Sequence, residues 1–343
     1  MRPRAGTVTA QAVEAAARLL DGVAVRTPML SSPLLDAELG VRVAAKAENL
    51  QRTGAFKFRG AYHHVATLPP DARMGGVIGA SSGNHAQALA LAARLLGTRA
   101  TVVIPHDVPL AKLDAIRRTG ATVATYRRGV DDRDALVAEL AAMHGLAVVP
   151  SADSVPVMAG AGTVAAEILR DAPDVDTLLV PLGGGGLAAG CATYVKAVKP
   201  GTRVIGVEPA GADDTRRSLL RGRRVSIPAP RTIADGLTHT TPSAGPFKVN
   251  RRLLDDVLVV DDHAIAEAVR LCFRHLHVVV EPSGATAMAA LLGGALGGDP
   301  GRTAVVLSGG NVDWGTFRTM MEADGMGSVA AGPFDVRLAG ALG

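Results

Sequence analysis

The chain of 343 residues is long enough for a large buried core and for two domains. Hydrophobic residues make up 48% and charged residues 20%, a balance that is typical of globular proteins and excludes a disordered chain. The net charge of +4 comes from 36 basic and 32 acidic side chains spread along the whole length, so we expect no nucleic-acid partner. Cys191 and Cys272 form no paired motif, which favours a reducing compartment over a disulfide framework.

The N-terminal segment is rich in arginine and alanine, which raises the question of a targeting peptide. It lacks the uninterrupted apolar run of a secretory signal, and a start at Thr9 with a stop at Gly22 predicts an amphipathic first helix instead. The most apolar later run, which begins at Ala287, is too short and too rich in glycine to span a bilayer. We therefore predict a cytoplasmic protein without a membrane partner.

Apolar, strand-like runs recur along the chain and alternate with segments of helical spacing. The runs cover residues 41–48, 76–81, 100–105, 121–126, 177–184, 203–209, 257–262, 277–282 and 303–310. Alternation on this scale predicts an α/β fold with mostly parallel sheets that are covered on both faces. The strand–helix units within residues 70–150 could form a smaller domain of their own, inserted into a larger one.

The stretch from Thr53 to Gly60 places Lys57 between Phe56 and Phe58, in a chain that has only six phenylalanines. A lysine among apolar rings either extends its amine to water or has a lowered pKa that makes the amine reactive. The stretch alone leaves both interpretations open.

Ligands of open α/β sheets gather where strands end and helices begin, and four such junctions carry unusual residues. The first junction combines helix-start N–H groups with two hydroxyls and an amide; its residues are Ser81, Ser82, Gly83, Asn84 and His85. These groups suit a carboxylate, although serine and asparagine are equally favoured in an ordinary helix N-cap.

The second junction is a run of four glycines that follows a strand and opens a helix: Gly183, Gly184, Gly185 and Gly186. Such a backbone can wrap a phosphate closely, and the helix dipole adds to the attraction. The run is neither the GxGxxG dinucleotide pattern nor a Walker motif, so a monophosphate is the better interpretation.

The third and fourth junctions are weaker signals when they are taken alone. Ser308 ends a strand and precedes two glycines and an asparagine, where its hydroxyl could meet a ligand ring, but this sequence also forms good turns. Glu208, Asp213 and Asp214 follow another strand and could supply oxygen ligands to Mg²⁺, Mn²⁺ or Ca²⁺. Their spacing alone favours a solvated acidic loop.

A reactive lysine, a phosphate site, a carboxylate site and a serine facing a ring together match pyridoxal 5′-phosphate. The lysine motif, KAENLQRTGAFK at residues 46–57, resembles that of fold-type II pyridoxal-phosphate enzymes, and it is most similar to the threonine/serine dehydratase and serine racemase family. The segments SSGNHAQAL, AGAGT, VEPAGADD, ADG, VVEPSGA and LSGGNVD follow in that family's order. The resemblance covers roughly residues 10–320.

The resemblance implies a fold of the tryptophan synthase beta-like kind, in which two open parallel-sheet α/β domains hold the cofactor in the cleft between them. We expect a large cofactor-binding domain from residues 1–70 and 152–324, a small domain from residues 71–151 that carries the substrate loop, and a loose extension at residues 325–343. A homodimer or homotetramer is implied as well.

The resemblance also implies roles for particular residues. Lys57 would bond covalently to the cofactor, Phe56 would pack on its ring, Asn84 would bond its 3′-oxygen, and Ser308 would meet its pyridine nitrogen. Gly183, Gly184, Gly185 and Gly186 would hold the phosphate. The substrate carboxylate would be bound by Ser81, Ser82, Gly83, Asn84 and His85, and Glu281 matches an acidic position near the cofactor.

The fourth junction gains support from the resemblance, because Glu208, the Ala212 carbonyl and Asp214 match a divalent-cation site in the racemase-like branch. The cation would be structural or activating. The sequence departs from the family's common pattern in three places, with Ala55 for serine, Ala161 for glutamine and Pro156 shifted by one position, and none of these removes a catalytic group.

We therefore predict a dehydratase, or ammonia-lyase, that converts a β-hydroxy amino acid such as L-threonine or L-serine to a 2-oxo acid and ammonia. Two alternatives stay open: amino-acid racemisation, for which the Ser82 hydroxyl would serve the face opposite Lys57, and dehydration of 3-hydroxyaspartate. A β-replacement synthase fits less well, because its corresponding loop typically has threonine in place of the SSGNH pattern. A non-catalytic pyridoxal-phosphate carrier also fits less well, because storage requires no substrate-binding loop.

Overall fold

The computed structural model describes residues 7–108, 110–292, 296–297 and 299–322. The described strands are β1 (Met29–Leu30), β2 (Val43–Ala47), β3 (Val77–Ala80), β4 (Ala100–Pro105), β5 (Thr122–Tyr126), β6 (Ala147–Val148), β7 (Thr177–Pro181), β8 (Arg203–Pro209), β9 (Asp256–Val260) and β10 (Thr303–Leu307). They form two sheets, as the alternating pattern predicts.

Helices separate most of the strands. They are α1 (Ala10–Leu20), α2 (Pro33–Leu39), α3 (Lys57–Thr67), α4 (Pro70–Gly75), α5 (Asn84–Leu95), α6 (Leu110–Arg118), α7 (Arg133–His144), α8 (Val155–Asp171), α9 (Gly186–Val198), α10 (Asp214–Leu220), α11 (Ala244–Leu253), α12 (Asp262–Leu271), α13 (Pro282–Ala289) and α14 (Trp314–Glu322). The first helix begins as predicted, because the Thr9 hydroxyl accepts a hydrogen bond from the Ala12 amide and caps it. Among the described residues, no helix is both long and apolar enough to cross a membrane.

The larger sheet has the strand order β1-β2-β10-β7-β8-β9, and its pairs are parallel except for β1 with β2. Its central strands are covered on both faces, because alternate residues enter different cores. Leu178 and Val180 pack with α8 and α9 on one face, whereas Leu179 packs with α12 and α13 on the other. This explains why the central strands are continuous apolar runs.

The smaller sheet has the order β5-β4-β3-β6 and is entirely parallel. Val77 packs toward α3 and α5, and its neighbour Ile78 packs toward α7 on the opposite face. The larger sheet takes its strands from residues 29–47 and 177–307, and the smaller sheet from residues 77–148. The exact domain boundaries at 70/71 and 151/152 stay a prediction, and the predicted extension at 325–343 lies outside the described residues.

One predicted strand, residues 277–282, is wrong. A π-helical turn, Cys272–Leu276, precedes the segment, and His277 adopts a left-handed φ of 57° that redirects the chain. The following residues then bond to loops rather than to a sheet: the Val279 carbonyl accepts from Asn49, and the Glu281 amide donates to Gly309. Conversely, β1 and β6 have two residues each and are too short for a periodic pattern to predict.

Candidate active site

A cavity of about 880 Å³ lies between the two sheets, where the carboxyl ends of β3, β7 and β10 meet. Ligands of parallel α/β sheets bind at this edge. The cavity brings together the predicted lysine, serine and glycine residues, since it is lined by Phe56, Lys57, Ser81, Ser82, Gly83, Asn84, His85, Gly183, Gly184, Gly185, Gly186 and Ser308. Residues 200 or more positions apart in the sequence therefore share one site.

Lys57 is the first residue of α3, and its side chain enters the cavity. Its Nζ donates a hydrogen bond to the Ser151 carbonyl at 2.8 Å and lies 5.1 Å from the centroid of the Phe56 ring. Burial lowers the pKa of Lys57 from its ordinary value of 10.5 to about 8, because the charged amine is desolvated. About a tenth of this amine is therefore uncharged and nucleophilic at pH 7, far more than for an ordinary lysine.

The two phenylalanines beside Lys57 have different environments. Phe56 is half-buried and lines the cavity, whereas Phe58 is fully buried in the core between α3 and α5. The loop before the lysine is fixed to the end of β10, because the Phe56 amide donates to the Ser308 carbonyl at 3.0 Å. The backbone thus holds Phe56, Lys57 and Ser308 at one end of the cavity.

The four glycines form a turn between β7 and α9. Gly185 has a left-handed φ of +84°, and a Cβ on Gly184 would lie 3.0 Å from both Ala152 Cβ and His239 Nε2, so larger residues would be strained or crowded here. Within the described part of the chain, the buried amides of Gly183, Gly184 and Gly185 have no protein acceptor. Orphaned N–H groups at the start of a helix are what a phosphate binds, so this turn fits the phosphate of the cofactor.

The substrate-loop residues at the start of α5 differ in how they are held. The Ser81 hydroxyl accepts from the Gly83 amide at 3.2 Å, whereas the Ser82 hydroxyl has no partner among the described residues. His85 Nε2 lies 3.0 Å from the Val149 carbonyl, which can only accept, so Nε2 carries the proton. Burial and the nearby Lys57 lower the pKa of His85 to about 3, and the neutral ring fixes the loop to the chain that follows β6.

Sequence patterns did not single out four residues beside the cavity, or included them only as part of a longer motif. His239 lies against Gly183 and Gly184, and burial together with the charges of Lys57 and Arg133 lowers its pKa to about 4. Arg133 also lines the cavity, at the start of α7. Asn311 was part of the LSGGNVD motif only, and Ser151 acts through its backbone carbonyl, which no side-chain pattern can indicate.

The predicted cation site lies away from this cavity, at the end of β8. Glu208 and Asp214 are fully buried, and Glu208 accepts hydrogen bonds from the Thr215 and Arg216 amides at 2.9 and 2.8 Å. Both Asp214 oxygens are buried without a partner in the described structure. Burial raises the pKa of Asp214 to about 7 and that of Glu208 to about 8, with the Asp214 charge as a further cause for Glu208.

These two buried carboxyl groups have no basic side-chain partner among the described residues. Their oxygens are the ligands that a divalent cation prefers. The described residues contain no cluster of three or more His, Cys, Asp or Glu side chains, so a cation here would rely on backbone oxygens such as the Ala212 carbonyl as well.

The fold and the lysine-centred cavity together define a fold-type II pyridoxal-phosphate enzyme. Residues 20–309 match the family described as "Pyridoxal-phosphate dependent enzyme", and the chain belongs to this family. The predictions of family, fold class and pyridoxal-phosphate dependence are therefore confirmed.

Similar proteins include lyases and a racemase. An L-threo-3-hydroxyaspartate ammonia-lyase from Pseudomonas sp. is 42% identical over 90% of this chain and 96% of its own length. An L-threonine ammonia-lyase from Geobacter sulfurreducens is 41% identical over 90% of this chain and 76% of its own length. The structure of maize serine racemase superposes with a TM-score of 0.87 at 36% identity, covering 92% of this chain and 97% of the racemase.

Proposed function

We propose that this enzyme is an ammonia-lyase that eliminates water from a β-hydroxy amino acid and releases an enamine, which water then hydrolyses to a 2-oxo acid and ammonia. The observation that carries the proposal is the Lys57 amine, whose pKa is about 8, in one cavity with a loop of orphaned glycine amides and the Ser82 hydroxyl. When bound, pyridoxal 5′-phosphate withdraws electrons from the substrate's α-carbon and so acidifies its proton.

The residues of the site divide this task. Lys57 is the covalent partner of the cofactor, and its free amine is the base that takes the α-proton. Gly183 to Gly186 hold the phosphate with backbone amides, and Phe56 covers the ring. Ser308 would offer the pyridine nitrogen a neutral hydroxyl, which does not force its protonation. Electron withdrawal by the cofactor would then be weaker. This suits elimination, because the departing hydroxide would carry away the negative charge.

The substrate carboxylate binds at the start of α5. The Ser82 hydroxyl and the first amides of the helix donate to it, with Ser81, Gly83 and Asn84 shaping the loop around it. His85 is neutral, and its protonated nitrogen is engaged by Val149, so it positions this loop.

Racemisation is a second candidate because the Ser82 hydroxyl has no protein partner in the described chain and lines the same cavity as Lys57. A proton donor on the face opposite the lysine would allow the α-carbon to be reprotonated with inverted configuration. Ser82→Ala is expected to abolish D-amino acid formation and to retain much of the elimination. Equal loss of both activities would show that Ser82 only binds the carboxylate.

3-Hydroxyaspartate is a candidate substrate because Arg133 and His239, which can both donate hydrogen bonds, line the cavity. Arg133 and His239 lie close enough for the arginine charge to lower the pKa of the histidine, and they could bind a second carboxylate. The Pseudomonas relative is named for this substrate. Arg133→Gln is expected to raise KM for hydroxyaspartate while KM for L-serine changes little; parallel changes would contradict this assignment.

We further propose a divalent cation at Glu208, Asp214 and the Ala212 carbonyl, with a structural or activating role. The buried, unpartnered oxygens of Asp214 support it. A homo-oligomer and a cytoplasmic location stay predictions.

The decisive experiment incubates the holoenzyme with L-threonine, L-serine and L-threo-3-hydroxyaspartate, and quantifies 2-oxo acid, ammonia and D-amino acid together. We expect equal amounts of oxo acid and ammonia from at least one substrate, and none from Lys57→Ala. Retained turnover in Lys57→Ala, together with an unchanged visible absorption band, would contradict the role of the lysine. D-amino acid without oxo acid would favour a racemase.

A further inference from the structure

A chain of hydrogen bonds joins the lysine loop to the substrate loop through Asn311, a residue with no role in the function proposed above. Asn311 Nδ2 donates to the Thr53 carbonyl at 2.7 Å and to Asn84 Oδ1 at 2.8 Å. Asn84 Nδ2 donates in turn to Glu281 Oε1 at 2.6 Å. Asn84 and Asn311 both line the cavity.

The order of donors in this chain follows from its first member. A backbone carbonyl can only accept, so the Thr53 carbonyl requires the Nδ2 end of Asn311 to face it. The second hydrogen of that Nδ2 then points to Asn84, which must present its oxygen. The Nδ2 of Asn84 is thereby turned toward Glu281, where one of its hydrogens is used and the second is available to a ligand in the cavity.

The surroundings of Asn311 keep its amide in this orientation. Gly54 has a left-handed φ of +72°, and a Cβ there would lie 2.5 Å from Asn311 Oδ1, so the oxygen end packs directly on the glycine. Thr53 itself has a φ of 60°, which is uncommon for a threonine and points its carbonyl at the asparagine.

The chain also crosses between the two sheets. Asn84 begins α5, which follows β3 of the smaller sheet, whereas Asn311 follows β10 and Glu281 precedes α13 beside the larger sheet. The Glu281 amide donates to the Gly309 carbonyl, which ties the acceptor to the same loop as Asn311. Asn84 is therefore oriented by two groups of the opposite wall.

We propose that Asn311 is a positioning residue that fixes the amide of Asn84, so that its second N–H group is aimed at the 3′-oxygen of bound pyridoxal 5′-phosphate. The inference rests on the proposed contact between Asn84 and the cofactor. Because Asn311 is not proposed to contact substrate or cofactor, we expect its replacement to change the state of the cofactor mainly through Asn84, and the Asn84→Ala background separates this route from any change at Thr53.

The test compares Asn311→Asp with Asn84→Ala and with the double variant. Asn311→Asp keeps the shape of the side chain but places an oxygen where Nδ2 was, against two other oxygens, so the Asn84 amide is expected to turn over. The measurements are the dissociation constant of pyridoxal 5′-phosphate, from absorbance titration of the cofactor-free protein, and the visible absorption band of the bound cofactor, which reports a donor at its 3′-oxygen.

We expect Asn311→Asp to weaken cofactor binding by about 10–100-fold, as is common when an orienting partner is lost, and to shift the visible band in the same direction as Asn84→Ala. The double variant should show no further change, since both substitutions remove one interaction. If Asn311→Asp does not fold, Asn311→Ala replaces it in this comparison. The alanine introduces no repulsion, so we expect a smaller effect.

Two results would overturn the proposal: a wild-type band and affinity in both Asn311 variants while Asn84→Ala shifts them, or effects of Asn311→Asp and Asn84→Ala that add in the double variant. An unchanged band in Asn84→Ala would remove the contact on which the proposal rests and would overturn it too. By contrast, shifted bands without oxo acid from any substrate would contradict the lyase function and still support the role of Asn311.

Discussion

Two lysines of this protein, Lys46 and Lys57, have opposite surroundings. Lys46 is fully buried, and its Nζ donates to Glu167 Oε2 and to the Thr27 carbonyl, both at 2.6 Å. Lys57 Nζ bonds only the neutral Ser151 carbonyl and has no carboxylate partner within the described residues. The difference separates a lysine that holds the structure together from one whose amine is available for chemistry.

Lys46 belongs to a balanced cluster of two cations and two anions: Lys46, Arg59, Glu48 and Glu167. Arg59 bonds both oxygens of Glu48 at 2.8 Å and pairs with Glu167 at 2.7 Å. Burial alone would raise the pKa of Glu48, but the charge and hydrogen bonds of Arg59 outweigh this effect and keep that pKa below its ordinary value. Because Arg59 lies two residues after Lys57 on α3, this cluster also anchors the helix that presents the reactive amine.

The Glu208–Asp214 pair is the acidic counterpart of Lys57. Its carboxyl groups are as buried as the Lys46 cluster, yet no basic side chain of the described residues pairs with them, and their pKa values are raised rather than lowered. Within the described residues, the charges of the Lys46 cluster are paired, whereas Lys57 and the Glu208–Asp214 pair, where ligands are proposed, have no side-chain partner of opposite charge.

The largest effect is expected from breaking the balanced cluster. Lys46→Met leaves the buried carboxylates without one of their cations and should lower the free energy of unfolding by about 3–5 kcal/mol. Lys248→Met is the matched control: Lys248 is exposed on α11, and its replacement should change stability by less than about 0.5 kcal/mol. Chemical denaturation of both variants measures the difference, and similar values would show that the cluster contributes little.

A smaller, conditional effect is expected at the acidic pair. Mg²⁺, Mn²⁺ or Ca²⁺ that binds only the folded protein should stabilise it by about 2.7 kcal/mol at a free concentration of 100 Kd. Asp214→Asn should abolish this stabilisation, and without cation it should be at least as stable as the wild type, because a buried charge is removed. Thermal melting with and without each cation measures both quantities.

The neighbouring Asp213 provides the control for this experiment, since it pairs with Arg217 at 2.8 Å and is not among the proposed ligands. Asp213→Asn should retain the cation effect. Equal stabilisation of the wild type and Asp214→Asn would place the cation elsewhere or exclude it.

Sequence patterns predicted the parts of this molecule that depend on local chemistry. Most of the strands were found because buried parallel strands are continuous apolar runs. The cavity residues were found because the junctions together match one cofactor and resemble the motifs of one family, although each junction alone also has an ordinary structural explanation. The interaction of Asn311 with Thr53 was not predictable, because the two residues are 258 positions apart and the acceptor is a backbone carbonyl. The resemblance singled out Phe56 rather than Phe58, and in the structure Phe56 lines the cavity whereas Phe58 packs in the core.

A stability effect of opposite sign to that at Lys46 is expected at Lys57 in the cofactor-free protein. The pKa of Lys57 is about 8 in the folded state and 10.5 ordinarily, so folding disfavours its charged form and the amine lowers stability at all pH values below 8. The wild type should recover this stability as the pH rises from 8 toward 10.5, where the unfolded chain also loses the proton. Lys57→Met should therefore melt at or above the wild-type temperature at pH 7, and its advantage should shrink across that window. A loss of stability at pH 7 comparable to that of Lys46→Met would mean that the amine has an anionic partner in solution, and the distinction between the two lysines would fail.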